Sequence, residues 1–225
     1  MDSNQFTNAL QQISEKPIPV INSEIPYNKY VSISISKENQ ELHTFTISSS
    51  KEWQNYLQNY LKKNNAKVAF GGYLEVRNIY ERSSYFSEQK RNIHLGIDLW
   101  CAKNTKVLAA LDGQVHSFKL NDNYGDYGPT IILKHQIQNE IFYTLYGHLS
   151  KKSLKNISIG DTVLQGSTIG SLGSSAVNGN YASHLHFQII RDLQGNFGDY
   201  PGVSSSENLE FYKQNCPDPN LLLKL

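Results

Sequence analysis

Apolar and polar residues follow two different periods along this chain. In the first third, apolar residues at helical spacing predict a short helix over residues 4–14, and the apolar stripe that follows SSKE at 49–52 predicts a second. Between these helices, residues 29–47 alternate with a period of two, which predicts a β-hairpin. We therefore expect residues 1–66 to form a small α+β N-terminal appendage.

From residue 67 to the end, short apolar stretches are separated by turns that contain glycine or asparagine. KVLAALDGQVHSF predicts a hairpin that turns at Asp112-Gly113, and TIILKHQIQNEIFYTLYGHLS predicts one that turns at Gln138-Asn139. Further short strands follow, the last of them HLHFQII. Strands at this spacing, without helices between them, favour packed antiparallel sheets.

Composition supports the same fold class. The chain has 225 residues, and its 14 tyrosines, nine phenylalanines and 15 glycines favour strands and tight turns over long helices. We predict a mainly β protein, an antiparallel β-sheet sandwich, with an appendage at residues 1–66 and a main domain with a C-terminal loop extension at residues 67–225. Lys and Arg total 21 against 20 acidic residues, so the net charge of +1 offers no electrostatic surface for nucleic acid.

The N-terminus lacks a basic segment followed by an apolar core, and no apolar run approaches the roughly 18 residues needed to span a bilayer. The chain is expected to be cytoplasmic, or periplasmic or at the cell surface if a signal peptide was trimmed. A cytosolic location would make Cys101 and Cys216 free thiols, and a disulfide between them stays open.

Two apolar stretches carry candidate functional residues at strand spacing. RNIHLGIDLWC places His94 and Asp98 four residues apart, and SHLHFQII places His184 and His186 two apart. Each pair would share one face of its strand, because side chains i, i+2 and i+4 point the same way. Imidazoles on an apolar strand are costly to bury unless something uses them. With His148 in LYGHLS, these residues predict a functional patch.

Zinc fits the chemistry of this patch. Zn²⁺ takes three or four N, O or S ligands at tetrahedral angles, and a catalytic site keeps one position open. Two imidazoles and one carboxylate would favour ionisation of a bound water near neutral pH, and the remaining imidazoles would act as general base and oxyanion stabiliser. His43 and His116 are interpreted as ordinary strand residues. His135 has a slightly stronger claim because it shares a predicted hairpin with His148.

The segments HLGIDLW, VLAALDGQV, TLYGHLS, IGDTVLQGSTIGSLG and SHLHFQI occur in the order and spacing of a known family. Over about residues 68 to 192 the chain resembles the lysostaphin/LytM-type zinc metallopeptidases, cell-wall endopeptidases with the duplicated hybrid motif fold. The resemblance implies that the zinc ligands are His94, Asp98 and His186. It also implies that the catalytic histidines are His148 and His184.

The function implied by the resemblance is that of a zinc-dependent endopeptidase, with Zn²⁺ as cofactor. It would hydrolyse a peptide bond in peptidoglycan stem or cross-bridge peptides by attack of zinc-bound water, assisted by two histidines. One departure is Gln188, which stands where the family has glutamate. Two alternatives stay open: a non-hydrolytic metal-binding or wall-binding module on the same fold, and a histidine phosphocarrier-like domain.

Overall fold

The computed structural model describes residues 1–83, residue 86 and residues 90–225. Its strands and helices are numbered here in chain order. The strands are β1 (Tyr30–Ser32), β2 (Val68–Gly71), β3 (Ile93–His94), β4 (Ile97–Trp100), β5 (Lys106–Leu108), β6 (Gly113–Asn121), β7 (Gly128–Ile137), β8 (Glu140–Gly147), β9 (Thr162–Val163), β10 (Thr168–Ser171), β11 (His184–Ile190) and β12 (Val203–Ser204), and the helices are α1 (Ser3–Gln12), α2 (Ser50–Lys63), α3 (Leu209–Asn215) and α4 (Asn220–Leu223).

One large sheet forms the centre of the part described. Its strand order is β1-β2-β4-β11-β8-β7-β6-β9, and every neighbouring pair is antiparallel except β1 and β2. Two small antiparallel sheets, β5 with β10 and β3 with β12, lie beside it. The prediction of a mainly β fold with a small helical N-terminal part is therefore confirmed.

The hydrophobic core lies against the central strands and includes residues from the N-terminal part. Phe6 on α1 packs edge-to-face on Phe142 of β8, with ring centroids 5.5 Å apart. Ile21 forms an isolated bridge with Val107 of β5, so the chain before β1 runs along the main domain. The boundary between residues 66 and 67 stays a prediction, and residues on both sides of it share this core.

Both predicted N-terminal helices are present, and each begins where its capping residues indicate. Asp2 accepts a hydrogen bond from the Gln5 amide at the start of α1, and Ser49 does the same for the Glu52 amide at the start of α2. The described helices include none that is both long and apolar enough to cross a membrane. Burial raises the pKa of Cys101 to about 11, and this residue and the second cysteine are buried free thiols.

Two predicted hairpins are wrong, because their strands pair with distant parts of the chain. In residues 29–47, the Ile33 amide donates to the carbonyl oxygen of Phe70 and the Ile35 amide donates to the Glu75 carboxylate. This segment contributes only the three-residue β1, and a 3₁₀ helix follows at Gln40–Thr44.

The turn at Asp112-Gly113 also joins strands that do not pair with each other. β5 pairs with β10, while β6 pairs with β7 and β9. The Asp112 carboxylate accepts a hydrogen bond from the Gln165 backbone amide, so this turn contacts the turn before β10. The hairpin at Gln138-Asn139 is confirmed, since Ile137 of β7 pairs with Glu140 of β8.

Candidate metal centre

Two adjacent strands of the central sheet place a carboxylate opposite an imidazole. β4 and β11 are antiparallel neighbours, and in their register Asp98 lies directly across from His186, while Trp100 lies across from His184. Directly opposed residues have Cβ atoms about 4.5–5.5 Å apart, which brings their side chains into contact. The H-x-H sequence therefore places both of its imidazoles on the Asp98 face of the sheet.

His94 reaches this face by a different route from the one its spacing predicts. In a single strand, residues four apart are separated by about 13 Å, too far to bind one ion. The strand is in fact interrupted between β3 and β4, at Leu95 and Gly96. A Cβ atom at Gly96 would lie 2.7 Å from the His186 ring, so only glycine permits this approach. The prediction that His94 and Asp98 lie on one strand is therefore wrong.

The interruption brings the donor atoms of the three predicted ligands together. His94 Nε2 lies 2.9 Å from His186 Nδ1 and 3.3 Å from Asp98 Oδ1, and that oxygen lies 3.2 Å from His186 Nδ1. Zinc at about 2.0–2.1 Å from tetrahedral ligands separates neighbouring ligand atoms by about 3.3 Å. These side chains, which lie close enough to hold one metal ion, therefore fit Zn²⁺.

Hydrogen bonds to the outer ring nitrogens determine which nitrogen faces the cluster. His94 Nδ1 donates to the carbonyl oxygen of Gly72 at 3.0 Å, which leaves Nε2 as the acceptor. Gln188 Nε2 donates to the Pro201 carbonyl oxygen at 3.1 Å, so its Oε1 accepts from His186 Nε2 at 2.9 Å. Two ring lone pairs and a carboxylate oxygen thus face one another, and a cation between them would stabilise this arrangement.

The other two predicted site residues lie beside this triad. The rings of His148 and His184 have centroids 4.1 Å apart, and His184 Nε2 lies 3.9 Å from Asp98 Oδ1. His184 Nδ1 donates to the carbonyl oxygen of Ala182 at 2.8 Å, and His148 Nδ1 donates to that of Asn178 at 2.9 Å. The Nε2 atom of each ring is therefore available to accept a proton.

Burial keeps His94, His148 and His184 neutral. Burial, together with the charge of Arg77, lowers the pKa of His94 to about 3. Burial also lowers the pKa of His184 and holds that of His148 well below its usual value. Burial alone would raise the pKa of Asp98, but His94 and Arg77 outweigh it and hold that pKa well below the ordinary value. Neutral imidazoles and a charged carboxylate are the forms that bind metal.

Arg77 contacts this cluster although no sequence pattern singles it out. It is one of 21 basic residues and stands in the mixed segment LEVRN. In the structure its side chain is buried, and Nη1 donates to Asp98 Oδ2 at 2.6 Å. The contact joins residues 21 positions apart, so only the folded chain reveals it.

The three remaining histidines lie outside the cluster. His135 is buried, and its two ring nitrogens are satisfied by the Asp112 carbonyl oxygen at 2.8 Å and by the Thr144 hydroxyl at 2.7 Å. His116 is half-buried and its ring packs edge-to-face against Tyr143, while His43 is exposed.

Gln188 matters for stability because its amide faces both an acceptor and a donor. In Gln188→Glu, a carboxylate oxygen would replace the N–H group that faces the Pro201 carbonyl oxygen. We expect the free energy of unfolding to fall by about 1–3 kcal/mol, since the site is buried and two acceptors would face each other. Denaturant unfolding measures this change. The exposed Gln58→Glu is the control, and an equal change in both variants would contradict the interpretation.

All five predicted site residues fall within a part of the chain that matches a known family. Residues 92–197, a little under half of the chain, match the sequence profile described as peptidase family M23. Through these residues, the chain is similar to peptidase family M23. The M23 region runs from just before β3 to just after β11, so the appendage and β2 lie outside it. No curated protein matches the chain.

Solved structures resemble this chain at low identity. The catalytic domain of the antimicrobial peptidase lysostaphin from Staphylococcus simulans is 24% identical, over 73% of this chain and 98% of that one, with a TM-score of 0.41. A zinc containing peptidase from Vibrio cholerae is 25% identical, over 44% of this chain and 27% of that one, with a TM-score of 0.35. A Pseudomonas aeruginosa protein assigned to peptidase M23 is 19% identical, over 58% of this chain and 43% of that one, with a TM-score of 0.39. This chain thus spans less than half the length of the last two.

The candidate metal cluster lines a small, partly open cavity. The cavity has a volume of about 50 Å³, which holds only a few water molecules. Its wall includes Ile35 and Trp53 from the N-terminal appendage, together with Tyr80 and the histidines of the cluster. All five predicted site residues are buried, and each exposes 5% or less of its surface. The accessible space beside the cluster is therefore too small for a peptide in this conformation.

Proposed function

We propose that this chain is a zinc-dependent endopeptidase that hydrolyses peptide bonds in peptidoglycan stem or cross-bridge peptides. The observation that carries the proposal is the convergence of His94 Nε2, Asp98 Oδ1 and His186 Nδ1 at separations of 2.9–3.3 Å. The family match supports peptide hydrolysis, and the ligand chemistry of two imidazoles and one carboxylate supports zinc.

In this proposal, His94, Asp98 and His186 hold the metal, which supplies Lewis acidity to a peptide carbonyl and lowers the pKa of a water molecule. The two histidines beside the triad move the protons. His184 is the nearer to Asp98, and its Nε2 is free to accept a proton from the attacking water. His148, with its Nε2 likewise free, completes proton transfer and stabilises the developing oxyanion once protonated.

The geometry favours this proposal over a phosphocarrier. A phosphorylated histidine needs one ring nitrogen that a phosphoryl donor can reach. His94 is 1% exposed, its Nδ1 is bonded to a backbone carbonyl, and its Nε2 faces the other ligand atoms. Neither nitrogen is accessible from outside.

The direct test is cleavage of pentaglycine and of stem peptides by the purified chain. We expect cleavage with one equivalent of zinc and none after chelation, because the site holds a single ion. Mass spectrometry of the products identifies the bond that is cut. Cleavage that persists unchanged in the chelated protein would contradict a metal-dependent mechanism.

The small volume of this cavity calls for a variant that enlarges it. Ile35 lines the cavity, whereas its neighbour Ile33 packs in the same apolar cluster without lining it. Ile35→Ala should raise the rate of peptide cleavage several-fold, and Ile33→Ala should leave it unchanged at a similar cost in stability of about 2–5 kcal/mol. Absence of cleavage by the wild type and by both variants, each loaded with zinc, would overturn the proposed endopeptidase activity.

A further inference from the structure

Arg77 is a buried cation in direct contact with one of the proposed metal ligands. Its side chain is 2% exposed, and a charge at such depth is costly unless it is paired. Nη1 donates to Asp98 Oδ2 at 2.6 Å, and Nε donates to Glu75 Oε2 at 2.8 Å. Nη1 also lies 3.2 Å from the Tyr80 hydroxyl, and the guanidinium carbon is 5.7 Å from the centroid of the Trp100 ring.

The two oxygens of Asp98 are divided between Arg77 and the histidines. Oδ2 accepts from Arg77, while Oδ1 lies 3.2 Å from His186 Nδ1 and 3.3 Å from His94 Nε2. Rotation of the carboxylate to offer both oxygens to one ion would break its ion pair with Arg77. Arg77 therefore favours coordination through Oδ1 alone, which suits a four-coordinate tetrahedral ion.

The backbone leaves room for this contact at one position. A Cβ atom at Gly72 would collide with Nη2 of Arg77, and the same Gly72 has a φ of 104°, where side chains are strained. Its carbonyl oxygen accepts the hydrogen bond from His94 Nδ1. Gly72 thus permits the Arg77 contact and orients a second ligand.

Glu75 balances the charge of Arg77. Its Oε2 accepts from Arg77, and its Oε1 accepts from the Ser34 hydroxyl at 2.7 Å and from the Ile35 amide at 3.0 Å. The pair of Glu75 and Arg77 is neutral, so its effect on the metal is to orient Asp98 rather than to change the net charge of the site. It also connects the appendage, through Ile35, to a metal ligand.

We infer that Arg77 is a positioning residue that holds Asp98 as a one-oxygen metal ligand, with Glu75 as its counter-ion. The inference rests on the proposed zinc site and extends it to residues outside the matched M23 region, which begins at residue 92. Residues that bond to ligands in this way commonly change metal affinity or activity about 10–100-fold when they are replaced.

The test measures metal binding rather than hydrolysis. The double variant Glu75→Gln/Arg77→Met removes both charges together and leaves the net charge unchanged, so it isolates orientation from electrostatics. We expect its zinc dissociation constant, measured by competition with a chromophoric chelator, to rise about 10–100-fold. The visible spectrum of the Co²⁺-substituted protein should lose intensity as Asp98 coordinates through both oxygens.

Two further variants make the test decisive. Arg77→Lys keeps the charge but cannot contact Asp98 and Glu75 at once, so its zinc affinity should lie between those of the wild type and the double variant. Arg191→Met removes a part-buried arginine that contacts Ser3 and Met1, and it should bind zinc like the wild type. If the double variant does not fold, the zinc affinity of Arg77→Lys decides whether Arg77 positions Asp98.

Wild-type zinc affinity and an unchanged Co²⁺ spectrum in Arg77→Lys and in the folded double variant would overturn the positioning role alone. A wild-type chain that binds no zinc would instead overturn the proposed function, and this inference with it.

Discussion

Replacing His184 with alanine is expected to lower kcat for peptide cleavage by about 10²–10⁴-fold, the usual contribution of a general acid or base. His184 Nε2 accepts no hydrogen bond within the site, and Nδ1 is engaged by Ala182, so the ring is oriented and ready to accept a proton. Zinc content should stay at the wild-type level, because the other three side chains supply the ligand atoms. Steady-state kinetics and elemental analysis measure the two quantities on the same sample.

His116→Ala is the matched control for this variant. It removes a half-buried imidazole outside the cluster and should leave kcat unchanged. The double variant His148→Ala/His184→Ala should cost less than the product of the two single effects, because the residues serve the same proton transfers. A His184→Ala protein that cleaves peptides at the wild-type rate would remove this residue from the mechanism.

Asp98→Asn is expected to weaken zinc binding by more than about 100-fold and to reduce hydrolysis to background. The substitution keeps the shape of the side chain but removes the one anionic ligand, and it leaves the buried Arg77 guanidinium paired only with Glu75. Replacement of a group that merely contacts a ligand already costs about 10–100-fold, so loss of the charged ligand should cost more. Chelator competition gives the affinity directly.

Asp126→Asn supplies the comparison for zinc content and folding. Asp126 is also buried and also lines the cavity, but its carboxylate accepts from the Tyr127 amide and lies outside the metal cluster. The Asp126→Asn variant should bind zinc with the affinity of the wild type. Equal zinc affinity in the wild type and in Asp98→Asn would show that the ion is held elsewhere.

Elements stabilised by neighbouring residues could be predicted from the sequence. The hairpin at Gln138-Asn139 depends on a tight turn between adjacent strands, and α2 depends on its own cap at Ser49. Both are correct because the contacts that form them are local. The hairpins proposed for residues 29–47 and around Asp112 show the same alternation, yet their strands pair with distant segments, which periodicity does not specify.

The candidate site divides in the same way. The H-x-H spacing of His184 and His186 does place both rings on one face of β11, since strand geometry alone ensures it. The spacing of His94 and Asp98 does not bring their donor atoms together, because a straight strand would hold the two residues about 13 Å apart. Their donor atoms meet at 3.3 Å only because the chain bends at Gly96.

The sequence by itself determined the mainly β class, the two N-terminal helices and which side chains are candidates for the site, because residue types, caps and periods are local properties. Only the tertiary structure decided that the donor atoms meet, that Arg77 lies against Asp98, and that residues of the appendage line the cavity. These contacts join residues 21 to more than 90 positions apart, and such pairs are selected by packing and charge in the folded chain rather than by any pattern along it.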